Sequence, residues 1–138
     1  PIGVPLPLYI GASPKILLAH LPPEERERII EELDLRPFTP YTITDKEELQ
    51  RCLEQIRHQG YAVDEQDYEI GVYAIGAPVR DHTGRVVAGI TVTVPAVRYD
   101  GDRKEKLIQM VVEAAKKVSY RLGYIENNST KETRRFTG

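Results

Sequence analysis

The chain is poor in cysteine, in long apolar runs and in net charge, and each shortage excludes a class of protein. A single cysteine, Cys52, cannot form an internal disulfide and fits a reducing compartment, so we expect a cytoplasmic protein. No apolar run approaches the roughly 20 residues of a membrane-spanning helix, so we expect no membrane partner. The net charge of −2 provides no basic field that would draw the chain to nucleic acid.

Motifs of catalysis and metal binding are also missing. The three histidines, His20, His58 and His82, have no metal-ligand spacing to one another or to Cys52. Nothing resembles a phosphate-binding glycine loop, a nucleophile elbow or a zinc-protease motif, so we expect no metal and no cofactor. The remaining acid–base candidates are carboxyl groups that follow a short predicted strand: Asp64, Glu65, Asp67 and Glu69. Such a loop is more often simply solvated.

The 138 residues predict one domain, over residues 1–125, followed by a polar, disordered tail over residues 126–138. Helices are expected at 14–20, after Ser13 as N-cap, from Pro23 onward, at 45–59 and at 102–124. Thr44 and Glu47 have the spacing of a capping box at the start of the third helix. The fourth helix carries an apolar stripe of five residues with three flanking members: Leu107, Val111, Ala114, Val118 and Leu122, with Ile108, Ala115 and Ile125.

The centre of the chain predicts an antiparallel hairpin. Residues 72–79 and 86–94 are rich in β-branched and small side chains, and a polar turn at residues 81–84 separates them. A short strand at residues 61–64 precedes the hairpin. Helices that lie apart from one antiparallel sheet are typical of an α+β fold.

The two faces of this hairpin differ in kind. Side chains alternate across a strand, so one face carries the large apolar residues Ile75, Val79, Ile90, Val92 and Val94. The other face carries only small residues: Ala74, Gly76, Gly89, Thr91 and Thr93. Because protein interiors are close-packed, a helix must lie unusually near these residues, or they face solvent, or a small polar pocket lies above them. The sequence alone leaves these alternatives open.

Three segments in order resemble the C-terminal effector-binding domain of the IclR family of bacterial transcriptional regulators. They are LPLYIGASPKILLAHLP, FTPYTITD and IRHQGYAVDEQDYEIGVYAIGAPVRDHTGRVVAGITVTVPAVR, and the likeness extends from about residue 6 to 123. The resemblance implies a GAF-like antiparallel sheet flanked by helices. It also implies that the N-terminal part of this domain, and a winged helix-turn-helix DNA-binding domain before it, are absent from this chain.

The resemblance further implies a small organic acid as effector and a homodimer or homotetramer as the assembled form. Contact with DNA would be made only by the winged helix-turn-helix domain. Family ligands lie over the sheet, and the positions that correspond here are Gly11, Ala12, Ser13, Asp64, Ala74, Thr91 and Thr93. We expect an effector sensor that is not an enzyme. The alternatives are a GAF-like enzyme that uses Asp64 as its acid or base, and a dimerisation module with a vestigial pocket.

Overall fold

The computed structural model describes residues 9–126, and the predicted tail falls almost entirely outside them. Four helices and three strands make up this part of the chain. In chain order they are α1 (Ala12–Ala19), α2 (Pro23–Glu32), α3 (Lys46–Gln59), β1 (Ala62–Glu65), β2 (Val72–Arg80), β3 (Val86–Pro95) and α4 (Gly101–Arg121). A short 3₁₀ turn at Ala96–Arg98 joins β3 to α4. The α+β fold is confirmed.

The three strands form one antiparallel sheet in the order β1-β2-β3. Helix α4 covers one face of the sheet, and α1 covers the other with α3 packed behind it. The large apolar residues of the hairpin face α4, where Ile75, Ala77 and Val79 are buried. The small residues face α1. The predicted division of the hairpin into a large-residue face and a small-residue face is therefore confirmed.

The apolar stripe of α4 was predicted correctly in its first part and wrongly toward its end. Val111 and Ala115 are buried as predicted, whereas Val118 and Leu122 are exposed and Ser119 is buried in their place. Ser119 is a polar residue in the core because its hydroxyl donates to the Ala115 carbonyl (2.8 Å) and accepts from the Arg80 N–H (2.9 Å). These two bonds remove the cost of burying the hydroxyl. The helix also ends at Arg121, three residues before the predicted end.

Two helix starts differ from the prediction. Helix α1 begins at Ala12 because Gly11, at φ 83°, turns the chain before it, so Ser13 lies inside the helix and is not its cap. Helix α3 is capped by Asp45, whose carboxylate accepts from the Glu48 N–H at 3.2 Å. The predicted capping box at Thr44 is therefore wrong by one residue. The ionised Asp45 side chain is the stronger acceptor and also suits the positive end of the helix dipole.

Between residues 9 and 126, no helix combines the length and the apolar character that crossing a membrane requires.

Candidate functional site

The register of the sheet aligns three of the predicted site residues in one row. Asp64 on β1 pairs with Ala74 on β2, and Ala74 pairs with Thr93 on β3. Directly paired residues lie on the same face of a sheet, so a carboxyl group and a hydroxyl group flank a methyl group on the α1 side. The next row, with Gly76 at its centre, is covered closely by Ile16 of α1. The helix therefore packs on one row and leaves the neighbouring row open.

The open row forms the floor of a cavity of about 320 Å³. All seven residues that the sequence placed at the site line this cavity: Gly11, Ala12, Ser13, Asp64, Ala74, Thr91 and Thr93. The structure thus brings them together, while their role in binding stays a prediction. Five further lining residues were not assigned to the site from the sequence, namely Ile10, Pro14, Tyr68, Glu69 and Val72. The outward position of Tyr68 depends on the loop conformation, which no periodic pattern predicts.

The N-terminus of α1 is fixed at the cavity by buried charges. The Gly11 N–H donates to both carboxylate oxygens of Asp67, at 3.2 and 3.3 Å. Lys15, one turn into the helix, forms an ion pair with the same carboxylate. Lys15 and Asp67 are 4% and 2% exposed, so water screens this pair very little. The first-turn N–H groups of Ala12 and Ser13 remain directed toward the cavity end of the helix.

Ser13 and Thr91 share a hydrogen bond through their side-chain oxygens. The Ser13 hydroxyl also lies 3.3 Å from the Gly89 carbonyl, to which it donates. Both hydroxyl groups therefore hold α1 against β3. Thr93, one row further along the same strand, has no such partner among the described residues. Of the two threonines, Thr93 has the hydroxyl that is available to a ligand.

The carboxyl group of Asp64 is the most perturbed acid in the described part of the chain. It is 6% exposed, and one oxygen accepts from the Asp67 N–H at 2.9 Å. Burial first, then a side-chain hydrogen bond with Asp67 and the charge of its carboxylate, raise the pKa of Asp64 to about 7 against the opposing effects of that N–H and of Lys15. Asp64 is thus close to half-protonated at neutral pH.

A neighbouring loop holds the segment that carries these acids. Thr39 donates through its hydroxyl to the Gln66 carbonyl and Thr42 does the same to the Asp67 carbonyl, both at 2.6 Å. The Thr42 oxygen also accepts from the Thr39 N–H at 2.9 Å. This loop belongs to the FTPYTITD segment, which forms neither helix nor strand. Its contacts hold the backbone of Gln66 and Asp67, and the Asp67 carboxylate in turn binds the Gly11 N–H before α1.

A larger cavity, of about 500 Å³, lies on the opposite face between β2 and the second half of α4. Its wall includes Arg80, Lys116, Tyr120 and Tyr124. No buried acid lines it, and the polar groups of Ser119 and the Arg80 N–H already bond to each other. We therefore assign the candidate site to the smaller cavity. No group of three or more potential metal ligands occurs within residues 9–126.

The comparison with known proteins agrees with the architecture of the domain. Residues 1–120 match the family described as "Bacterial transcriptional regulator IclR C-terminal". The chain belongs to this family. The regulator KdgR of Escherichia coli K12 is 37% identical over 123 residues, and the repressor AllR of Klebsiella pneumoniae is 39% identical over 123 residues. Both are HTH-type transcriptional proteins.

The solved IclR-type structures resemble the present domain over most of its length. The crystal structure of the C-terminal domain of E. coli KdgR gives a TM-score of 0.80 at 37% identity and covers 86% of this chain and 72% of that one. The inducer-binding domain of PobR from Acinetobacter, a double mutant in complex with 3-hydroxybenzoic acid, gives 0.76 at 27% identity, with 83% and 66% coverage.

The aligned 123 residues cover 89% of this IclR-family chain but only 47% of the length of KdgR and 45% of the length of AllR. The chain thus spans less than half the length of these relatives.

Proposed function

We propose that this IclR C-terminal domain senses a small organic acid in the cavity beneath α1. The observation that carries the proposal is the open row of the sheet, where Asp64 and Thr93 flank Ala74 at the start of a helix. A volume of about 320 Å³ is at the lower end of the roughly 300–1,000 Å³ that small-molecule sites occupy. The cavity therefore fits a ligand with few heavy atoms.

The ligand carboxylate would lie near the N–H groups of Ala12 and Ser13, where the helix dipole favours negative charge. The Thr93 hydroxyl would donate a second hydrogen bond from the sheet. Bonds to a charged group contribute on the order of 1.5–3 kcal/mol each. Asp64 would then face the polar group at the far end of the ligand. The complex of the PobR inducer-binding domain with 3-hydroxybenzoic acid is consistent with a carboxylic acid as the ligand.

The sensor would act on DNA through a helix-turn-helix domain that lies outside this chain, since KdgR and AllR are HTH-type regulators of more than twice the matched length. Ligand binding would shift the populations of two subunit arrangements in a homodimer or homotetramer. The ligand would need different affinities for the two arrangements. A soluble cytoplasmic protein that is not an enzyme fits this role.

Calorimetric titration with a panel of acids tests the proposal. The panel extends from acetate and lactate to benzoate and 3-hydroxybenzoate. At least one acid should bind, and Ala74→Leu, which fills the open row, should weaken binding at least about tenfold. Ala88→Val, on the exposed opposite side of β3, is the matched control and should bind as the wild type does. Failure of every acid to bind would overturn the proposed function, and unaltered binding by Ala74→Leu would move the site elsewhere.

One observation favours a second candidate, an enzyme with Asp64 as general acid or base, because its raised pKa suits proton transfer near neutral pH. Against it, residues 9–126 contain no group of three or more side chains that could bind a metal ion. Lys15 is already paired with Asp67, so the cavity has no free amine as nucleophile. Proton NMR of the bound acid over hours would distinguish the two, since only an enzyme would convert it.

A further inference from the structure

The charged side chains around Asp64 already neutralise each other, so no positive charge is left over for Asp64. Lys15 of α1 is the cation that approaches this region, and its ammonium group is paired with Asp67. Asp67 also accepts a hydrogen bond from the Gly11 N–H, so both an ammonium group and an N–H group stabilise its negative charge. One oxygen of Asp64 accepts from the Asp67 N–H, and in the free domain the protonated carboxyl group bonds to the Asp67 side chain. When ionised, Asp64 is therefore an extra buried negative charge with no cation of its own.

The other groups that face this position do not supply a cation. Glu69, on the loop after β1, adds a second carboxyl group to the cavity wall. Tyr68, beside it, contributes a phenol group and no amine or guanidinium group. Cys52, which α3 presents toward Lys15 and Asp67, is a thiol whose pKa is raised by burial, so it stays uncharged. Within the described part of the chain, the cavity lining contains two acids and no cationic side chain.

We propose that Asp64 is protonated whenever the cavity holds a monocarboxylate, so that its carboxyl group donates a hydrogen bond to the ligand and binding takes up from solvent the proton that free Asp64 lacks at the prevailing pH. This inference rests on the proposed function and adds the ligand class and the protonation state. The ligand keeps its carboxylate ionised at the helix N-terminus. Its second polar group is an acceptor, such as a hydroxyl or carbonyl oxygen, that faces Asp64. A second carboxylate at that end is excluded because Asp67 and Glu69 already lie nearby.

The physical reason is the repulsion between the ligand carboxylate and Asp64 when both are ionised. A ligand carboxylate at the helix N-terminus would add a second negative charge to the cavity that holds Asp64, which is 6% exposed and therefore little screened by water. Protonation of Asp64 removes that repulsion, and the free domain already holds this proton about half the time near neutral pH. Protonation of Asp64 therefore requires little free energy at pH 7 and progressively more as the pH rises.

The experiment is calorimetric titration of the full chain with the tightest-binding monocarboxylate of the panel, in buffers of different ionisation enthalpy. If only the protonated form binds, the dissociation constant follows the protonated fraction of free Asp64 and should rise about 30-fold between about pH 6 and about pH 8.5. Proton uptake per bound ligand should grow over the same interval from near zero to about one. The matched dicarboxylate isophthalate should bind far more weakly than 3-hydroxybenzoate.

Two variants identify the group that takes the proton. Asp64→Asn keeps an acceptor for the Asp67 N–H and carries a permanent donor, so its binding should show neither pH dependence nor proton uptake. Glu69→Gln, the other acid in the cavity wall, should retain both. If Asp64→Asn does not fold, the ¹³C shift of the Asp64 carboxyl carbon in the wild type gives the same information. Its pKa should rise on saturation with ligand.

The experiment distinguishes failure of the proposed function from failure of this inference alone. If no monocarboxylate binds, the proposed function is overturned and this inference with it. If a monocarboxylate binds with the same affinity and no proton uptake across the pH range, only this inference is overturned. Proton uptake that disappears in Glu69→Gln and persists in Asp64→Asn would also overturn it, because another acid would then carry the proton.

Discussion

Two glycines determine how closely α1 approaches the sheet. A Cβ atom at Gly89 would lie 2.9 Å from the Ser13 hydroxyl and 3.3 Å from the Ser13 Cα. A Cβ atom at Gly76 would lie 2.9 Å from the end of Ile16 and 3.0 Å from the Ala12 Cβ. The two distances of 2.9 Å are shorter than Cβ contacts in real proteins and the other two are unusually tight, so a larger residue at either position requires Ile16, Ser13 or the helix itself to shift.

We expect Gly76→Ala and Gly89→Ala each to lower the free energy of unfolding by about 1–3 kcal/mol, the usual cost of overpacking. Ala88→Val adds more volume at an exposed position of the same strand and should change stability by less than about 0.5 kcal/mol. Urea denaturation of the three variants measures these effects. A Gly89→Ala variant as stable as the wild type would mean that α1 does not pack on β3 as described.

Substitution of the two threonines of β3 should have different effects on stability and on acid binding. Because the Thr91 hydroxyl bonds to Ser13, Thr91→Val should destabilise the fold by about 0.5–1.5 kcal/mol and show coupling with Ser13→Ala in a double-mutant cycle. Thr93→Val should leave stability almost unchanged and weaken acid binding about tenfold or more. Denaturation and titration of both variants test this. The reverse pattern, with binding lost only in Thr91→Val, would contradict the division of roles.

At the scale of elements, the cap of α3 gives a sharp test between two adjacent residues. Asp45 accepts the Glu48 N–H, whereas Thr44 makes no cap bond to this helix. We expect Asp45→Ala to cost about 1 kcal/mol of stability and Thr44→Ala less than half as much. Thermal denaturation of the two variants, which remove side chains one position apart, compares them directly. Equal losses would restore the capping box predicted from the sequence.

The elements differ in how far their sequences determine them. The strand faces could be predicted because a two-residue period fixes which side chains share a face, and the hairpin keeps that period throughout. The buried face of α4 toward its C-terminal end could not be predicted, because Ser119 is buried by virtue of its bond to Arg80 on β2. A scale that counts apolar side chains assigns Val118 and Leu122 to the core in its place.

The candidate site was predictable in part for the same reason. Alternation along β2 and β3 singled out Ala74, Thr91 and Thr93, and the resemblance to IclR domains added Asp64 and the residues before α1. The Lys15–Asp67 pair could not be predicted, because its members are 52 residues apart and no local spacing relates them. The start of α1 depends in the same way on Asp67, which binds the Gly11 N–H from 56 residues away. Contacts between distant segments determine these features.

At the scale of the whole molecule, partly buried His20 and buried Asp64 lie near opposite ends of α1, and their titrations have opposite effects on stability. His20 follows the last turn of the helix, where burial first, and then the charges of Arg80, Arg57 and Arg26, lower its pKa to about 4. The arginines Arg26 and Arg57 also donate to the Ala19 carbonyl, so they are held in place beside it. Asp64, at the other end, has a pKa raised to about 7.

The signs of these two shifts are opposite. Neutral His20 contributes stability that is present above its unfolded pKa of 6.5 and is lost as the pH falls toward about 4. Protonated Asp64 contributes stability that is present below its ordinary pKa of 3.8 and is lost as the pH rises toward about 7. Between about pH 4 and pH 6.5 the two contributions should nearly cancel in the wild type.

Single substitutions should therefore reveal slopes that the wild type conceals. We expect the free energy of unfolding of His20→Gln to fall with rising pH between about pH 4.5 and pH 6.5, by roughly 1 kcal/mol per pH unit relative to the wild type. Asp64→Asn should show a rise of similar size over the same interval, and the double variant should return to the wild-type profile. Urea denaturation at both pH values measures all four proteins. A wild-type slope shared by both single variants would mean that neither group titrates with a shifted pKa, because only removal of a shifted group changes the number of protons bound on unfolding.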